Sequence, residues 1–259
     1  MRYTVVVLIT LSAALLSACA FVGAPDSAPE PAPKKQTSYV VPPAMHAAAR
    51  GMLAMKPVLI VQPSVDHRRH LVLRDTAEVR KFVNSYTSDT RAFVSETLDD
   101  RAKYLPMIFQ VFDREGIPRD LANIAFIESR YNPLANGAGT VGMWQFTTAT
   151  ARSLGLEVSL WNDERKNPVK STEAAAKYFK RLYSQFDDWF LVAAAYNLGP
   201  AKIEAAIDKG ESLDVFQLGR KGLICRDVIN FVAKFIALSM ITRNLDVYGF
   251  SADRHQYAG

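Results

Sequence analysis

An all-α domain is predicted for residues 75–250, and three observations predict it. Apolar residues recur at helical rather than alternating spacing throughout this stretch. No convincing alternating strand pair interrupts them. Helix stop-and-start signals recur at Gly116 with Pro118, at Asn167-Pro168 and at Gly199-Pro200. Val79, Phe82 and Val83 open the pattern, and Phe93, Val94 and Leu98 continue it. Tyr104, Leu105, Ile108, Phe109, Val111 and Phe112 form the next apolar face. A helix is expected to begin with Pro118 in its first turn, and Gly210 and Gly249 read as helix stops. No internal repeat is visible.

The chain begins differently. Arg2 precedes an apolar run from Val5 to Leu16, well short of the roughly 20 residues that span a bilayer. The run fits the core of a secretory signal, and the small residues after it fit a cleavage site. Leu16-Ser17-Ala18-Cys19 resembles a bacterial lipoprotein signal, which implies cleavage before Cys19 and lipidation of that cysteine. Ala20 is not the Asp that resembles an inner-membrane retention signal, so the resemblance implies the periplasmic face of the outer membrane. Ala24-Pro25-Asp26-Ser27-Ala28-Pro29-Glu30-Pro31-Ala32-Pro33 cannot bury apolar surface and reads as a tether. The expected organisation is a leader over 1–18, a tether and poorly defined segment over 19–70, a helical extension over 71–100 and the main domain over 101–250.

The chain has 259 residues, 49% of them hydrophobic, which leaves enough beyond leader and tether for one well-buried domain. A formal charge of +5 is weakly basic. It suits an anionic polymer or surface without demanding nucleic acid, and no basic run with interleaved aromatics marks a nucleic-acid groove. With Cys19 lipidated, Cys225 has no partner within the chain and reads as a small packing residue. His67 and His70 are spaced for a metal pair, but no nearby cysteine or further histidine supports one, and no metal or other cofactor is expected.

Chemistry points to Glu128. Leu121, Ile124 and Ala125 line one face of the segment starting at Pro118, and Glu128 stands on that face seven residues after Leu121. Partial burial would raise its pKa and make it a general acid. A glutamate at a frayed helix end, open to solvent, is the other reading, and this helix alone leaves both open. Two later segments shift the balance. A glycine-rich loop, Gly137-Ala138-Gly139-Thr140-Val141-Gly142, can approach a ligand closely and leads into Met143-Trp144-Gln145-Phe146. There Trp144 offers an apolar slab and Gln145 a two-way amide. Further on, Tyr196 and Asn197 stand where the apolar helix Phe190–Ala195 stops.

Taken together, Glu128-Ser129 with Asn132-Pro133, Gly142-Met143-Trp144-Gln145-Phe146, and Ala195-Tyr196-Asn197 resemble the catalytic domain of the soluble lytic transglycosylases over about residues 95–250. Asp163-Glu164-Arg165 before Asn167-Pro168 is similar to the D type of membrane-bound murein transglycosylases. The resemblance implies a lysozyme-like helical fold and cleavage of peptidoglycan strands between N-acetylmuramic acid and N-acetylglucosamine, leaving 1,6-anhydro ends. It implies Glu128 as the acid and base. It also implies substrate contacts from Ser129, Gly142, Met143, Gln145, Tyr196 and Asn197, and membrane attachment through Cys19. A hydrolytic muramidase and a non-catalytic glycan-binding lipoprotein are the rival readings. The chain departs from the family at Asn136, where Ser is frequent, at Thr147-Thr148, where Met-Pro is frequent, and at Phe231-Val232-Ala233-Lys234, where the family's late motif has Tyr first and Pro third.

Overall fold

A computed structural model describes residues 71–250. The leader, Cys19, the tether, His46, His67, His70 and His255 lie outside the described residues. The helices are α1 (Ala77–Thr87), α2 (Arg91–Ala102), α3 (Leu105–Glu115), α4 (Ala122–Ser129) and α5 (Thr148–Ser153), then α6 (Pro168–Phe186), α7 (Trp189–Leu198), α8 (Pro200–Gly210), α9 (Val215–Arg220) and α10 (Arg226–Arg243). The all-α expectation holds. The strand expectation needs one correction: Thr140–Val141 (β1) and Phe146–Thr147 (β2) pair antiparallel as a two-residue ribbon. Four residues of strand carry no readable alternation, which is why the ribbon escapes sequence reading.

Two helices build the core, the nearly all-apolar α7 and the longer amphipathic α10. α7 buries Phe190, Leu191, Val192, Ala193, Ala194 and Ala195 in one run. The three alanines let neighbouring backbones come close, and α7 packs on α6, α8 and α10. α10 buries residues from Val228 to Ile241 and lies against α1, α4 and α7. The extension predicted as 71–100 is therefore part of the core packing, since α1 runs along α10. A buried ion pair fastens it further. Arg243 donates to Asp120 through Nε at 2.9 Å and to the Leu71 carbonyl at 2.8 Å, while the Leu71 N–H donates to Asp120 at 2.9 Å.

Most helix boundaries follow the sequence. Gly116 ends α3 in the left-handed conformation at φ 69°. Asn167 caps α6 by accepting from the N–H groups of Val169 and Lys170, and Pro168 occupies the first turn. Three expectations fail. Pro118 precedes a 3₁₀ turn, Arg119–Leu121, and α4 begins only at Ala122. Gly210 is the last helical residue of α8, not its stop; a Cβ there would stand 2.5 Å from Leu218 Cδ2, so close packing requires the glycine. Gly249 lies beyond the end of α10 at Arg243 and does not stop that helix.

Candidate active site

Glu128 is the penultimate residue of α4. Leu121, Ile124 and Ala125 on its face are 0% exposed, and Glu128 itself is half-buried. Burial alone pushes its carboxyl up to about 8, because the charged form loses hydration and no nearby cation compensates. The carboxyl is therefore mostly protonated at neutral pH. Tyr196, at the end of α7, lies within its electrostatic reach: burial first, then the Glu128 charge, raises the phenol well above its usual range. No second carboxylate contributes to the Glu128 shift. The next acids in sequence are engaged elsewhere. Glu157 accepts from Asn162 at 2.7 Å, Asp163 pairs with Arg165 at 2.7 Å, and Glu164 pairs with Lys170.

The loop after α4 is held from within. The Gln145 amide nitrogen donates to the Gly142 carbonyl at 2.7 Å, and its oxygen accepts from Thr140 Oγ1 at 2.7 Å. Ser129 Oγ donates to the Met143 carbonyl at 2.7 Å, joining the end of α4 to the loop. Tyr196 closes the other side by donating to the Trp144 carbonyl at 2.5 Å. Ser129, the 137–146 loop and Tyr196 thus belong to one hydrogen-bonded cluster, with Glu128 next to Ser129 in α4 and within electrostatic reach of Tyr196. Asn197 extends it along α7, half-buried, with a side chain that makes no hydrogen bond among the described residues.

This geometry corrects parts of the sequence reading. Trp144 is no slab for a ligand: it is 0% exposed, lies against Phe112 and Phe179, and donates to Thr172 Oγ1 at 3.0 Å. Met143 is likewise 0% exposed as a whole residue, and its carbonyl accepts from Ser129, so it packs within the loop. Gln145 spends its amide on the loop itself. Gly142 is needed for close approach within the protein, since a Cβ would stand 2.0 Å from the Arg165 carbonyl and the backbone sits at φ 87°.

Arg165 is the residue that sequence reasoning left without a role. It is buried and donates through Nη1 to the Phe146 carbonyl at 3.1 Å and to Thr148 Oγ1 at 3.2 Å. Asp163 holds it from the opposite side. The Asp163-Glu164-Arg165 run was visible, but its target lies 19 residues earlier. Thr147 caps α5 by accepting from the Thr150 N–H at 3.1 Å, so the Thr147-Thr148 pair serves both the helix and the arginine. Asn136 bridges Val141, and Phe231 is buried on α10. Cys225 is half-buried at the start of α10, as a packing residue should be.

Residues 107–216 match the family model described as Transglycosylase SLT domain. Membrane-bound lytic murein transglycosylase D of Escherichia coli K12 is 34% identical over 152 residues, which cover 56% of this chain and 33% of that protein. A putative tributyltin chloride resistance protein of Alteromonas sp. M-1 is 35% identical over 106 residues, covering 40% of this chain and 51% of that one. Lytic transglycosylase Slt of Pseudomonas aeruginosa aligns with a TM-score of 0.46 at 18% identity, over 56% of this chain and 24% of its own. The chain thus spans a third to a half of the length of these curated relatives.

Proposed function

We propose that this chain, which carries a transglycosylase SLT domain over residues 107–216, is a lytic transglycosylase of peptidoglycan. It would cleave the β-1,4 bond between N-acetylmuramic acid and N-acetylglucosamine and leave a 1,6-anhydro end. The observation that carries this reading is the solitary, desolvated Glu128 carboxyl beside Tyr196. Glycosidases of the ordinary kinds use two carboxyl groups about 5–9.5 Å apart, one as acid and one as nucleophile or base. A single carboxyl suits a reaction whose nucleophile belongs to the substrate.

Protonated at neutral pH, Glu128 would give its proton to the bridging oxygen as the C1–O bond breaks. The resulting carboxylate would then take the proton of the muramic acid 6-hydroxyl while that oxygen bonds to C1. One group thus serves as acid and then base, and proximity replaces a bound water. The inward bonds of Gln145 and Ser129 fix the loop, and its backbone groups together with Asn197 would orient the N-acetyl groups. Met143 would act indirectly, by tying the loop to Ser129.

In the same reading the chain is exported and lipidated at Cys19, with the tether carrying the domain toward the wall from the outer membrane. Among the described residues no helix is long and apolar enough to cross a membrane. The test is digestion of cell-wall sacculi in water enriched in heavy oxygen, followed by mass spectrometry. Products one water lighter than those of a muramidase, without the label, are expected. Labelled, borohydride-reducible ends would establish hydrolysis and overturn the reading.

A further inference from the structure

Leu160 and Trp161 are 98% and 95% exposed, the two most exposed large hydrophobic side chains described. They do not sit on a loose loop. Val158 bridges Asp163, and between them Ser159 and Asn162 bond each other three times: the Ser159 N–H and Oγ donate to the Asn162 carbonyl at 2.8 Å and 3.2 Å, and the Asn162 N–H donates to Ser159 Oγ at 3.1 Å. Below that, the Glu164 N–H donates to the Glu157 carbonyl at 2.9 Å, and the Glu157 N–H donates to the Glu164 carboxylate at 2.8 Å. Arg152 of α5 holds the Val158 carbonyl at 2.7 Å. Leu160 and Trp161 are thus the tip of a hydrogen-bonded turn that presents them to solvent.

The base of this turn is joined to the active-site loop. Arg165, just past the turn, donates to the Phe146 carbonyl, and its own carbonyl closes on Gly142. A rigid, flat, exposed indole fixed to the loop of a polymer-cleaving site needs a partner that comes with the polymer. We propose that Leu160 and Trp161 form a stacking platform for sugar rings of the glycan strand, away from the bond being cleaved. This rests on the function proposed above.

Size and charge favour a glycan over other occupants. Two side chains offer on the order of 300–400 Å². That is enough for one or two sugar rings but short of the roughly 800 Å² per partner of a stable protein interface. At the base of the tip Asp163 pairs with Arg165 and Glu164 with Lys170, so the tip offers no basic patch to attract an anionic bilayer, whereas an uncharged sugar face needs none. The indole supplies an apolar plane at low entropic cost, with an N–H at its rim for a sugar hydroxyl.

Tryptophan emission isolates the platform, because Trp144 is fully buried and Trp189 is half-buried and stacked on Tyr183 at 4.1 Å. The probe is stem-free glycan strands titrated into the full chain carrying Glu128→Gln. A blue shift and loss of acrylamide quenching are expected. Adding Trp161→Ala should remove the shift and weaken binding roughly five- to tenfold, while Trp161→Phe also removes the shift but keeps most of the affinity for the strands. In the active chain Trp161→Ala should raise KM on long strands by a similar factor, with kcat held. Unmoved Trp161 emission while the Glu128→Gln chain binds sacculi would overturn the platform, as would a response to phosphatidylglycerol vesicles in place of glycan. Glycan binding at Trp161 without 1,6-anhydro products would overturn the reaction and leave the platform standing. No glycan binding at all would overturn both.

Discussion

The α6–α7–α10 core and the end of α4 with its loop solve opposite problems. In the core, local residues satisfy most awkward positions, and one non-glycine residue, Asp187 between α6 and α7, takes left-handed backbone at φ 49°. Asn167 and Asp188 each accept two backbone N–H groups at a helix start, and Ala174–Ala176 and Ala193–Ala195 let helices approach without strain. At the site, Arg130, Tyr131 and Gln145 hold left-handed backbone at φ 57°, 60° and 48° without being glycine. The Tyr131 hydroxyl is buried with no hydrogen-bond partner among the described residues, and Glu128 keeps a costly carboxyl half out of water. Each left-handed residue costs roughly 1–2 kcal/mol. The core supplies the stability that lets a short strained segment hold an acid at the wrong pKa for a surface.

The largest expected effect divides the two regions. Glu128→Gln keeps the shape but cannot move a proton, so clearing of sacculi should fall by about 10²–10⁴ or more. Stability should move the other way. The folded-state pKa is raised to about 8 from 4.5, so wild type loses stability as pH climbs through that window and the amide does not. The variant should therefore be more stable than wild type at pH 8.5, by up to about 4–5 kcal/mol, and about equally stable at pH 4. Equal melting at both pH values would deny that the carboxyl is desolvated.

Next comes the loop itself. Gly142→Ala meets the Arg165 carbonyl and a positive φ together and should lose about 3 kcal/mol or more in urea unfolding. Arg165→Met removes the donor to the Phe146 carbonyl and leaves Asp163 without its partner. A loss of about 2–4 kcal/mol is expected. Activity should fall further than the folded fraction does, because the loop proposed to contact the glycan loosens. Smallest is the core control: Asn167→Ala removes a cap and should cost about 1 kcal/mol with kcat unchanged. An Asn167→Ala enzyme with a large kcat defect would erase the division between scaffold and site.

The same division explains what could be read from the sequence. Helices whose apolar faces repeat, and caps such as Asn167-Pro168, are local, so periodicity and turn chemistry reveal them. The motifs grouped Glu128, Ser129, the loop and Tyr196, and hydrogen bonds do join Ser129 and Tyr196 to the loop. What stayed hidden was long-range. Trp144 reads as a slab until Phe112 and Phe179 are seen to enclose it, and Gln145 reads as a free amide until Gly142 and Thr140 claim it. Arg165 could not be assigned because its acceptor stands across the loop. The exposure of Trp161 depends on a turn fixed by Ser159, Asn162 and Glu164, which composition alone does not announce.

Everything in this account turns on one carboxyl. Its protonation can be followed directly by titrating the full chain, labelled with carbon-13 at glutamate side chains, against the Glu128→Gln variant. A single resonance absent from the variant should titrate near pH 8. A midpoint below about 5 would make Glu128 an ordinary surface carboxylate and would contradict both its role as an acid at neutral pH and the strain assigned to the site around it.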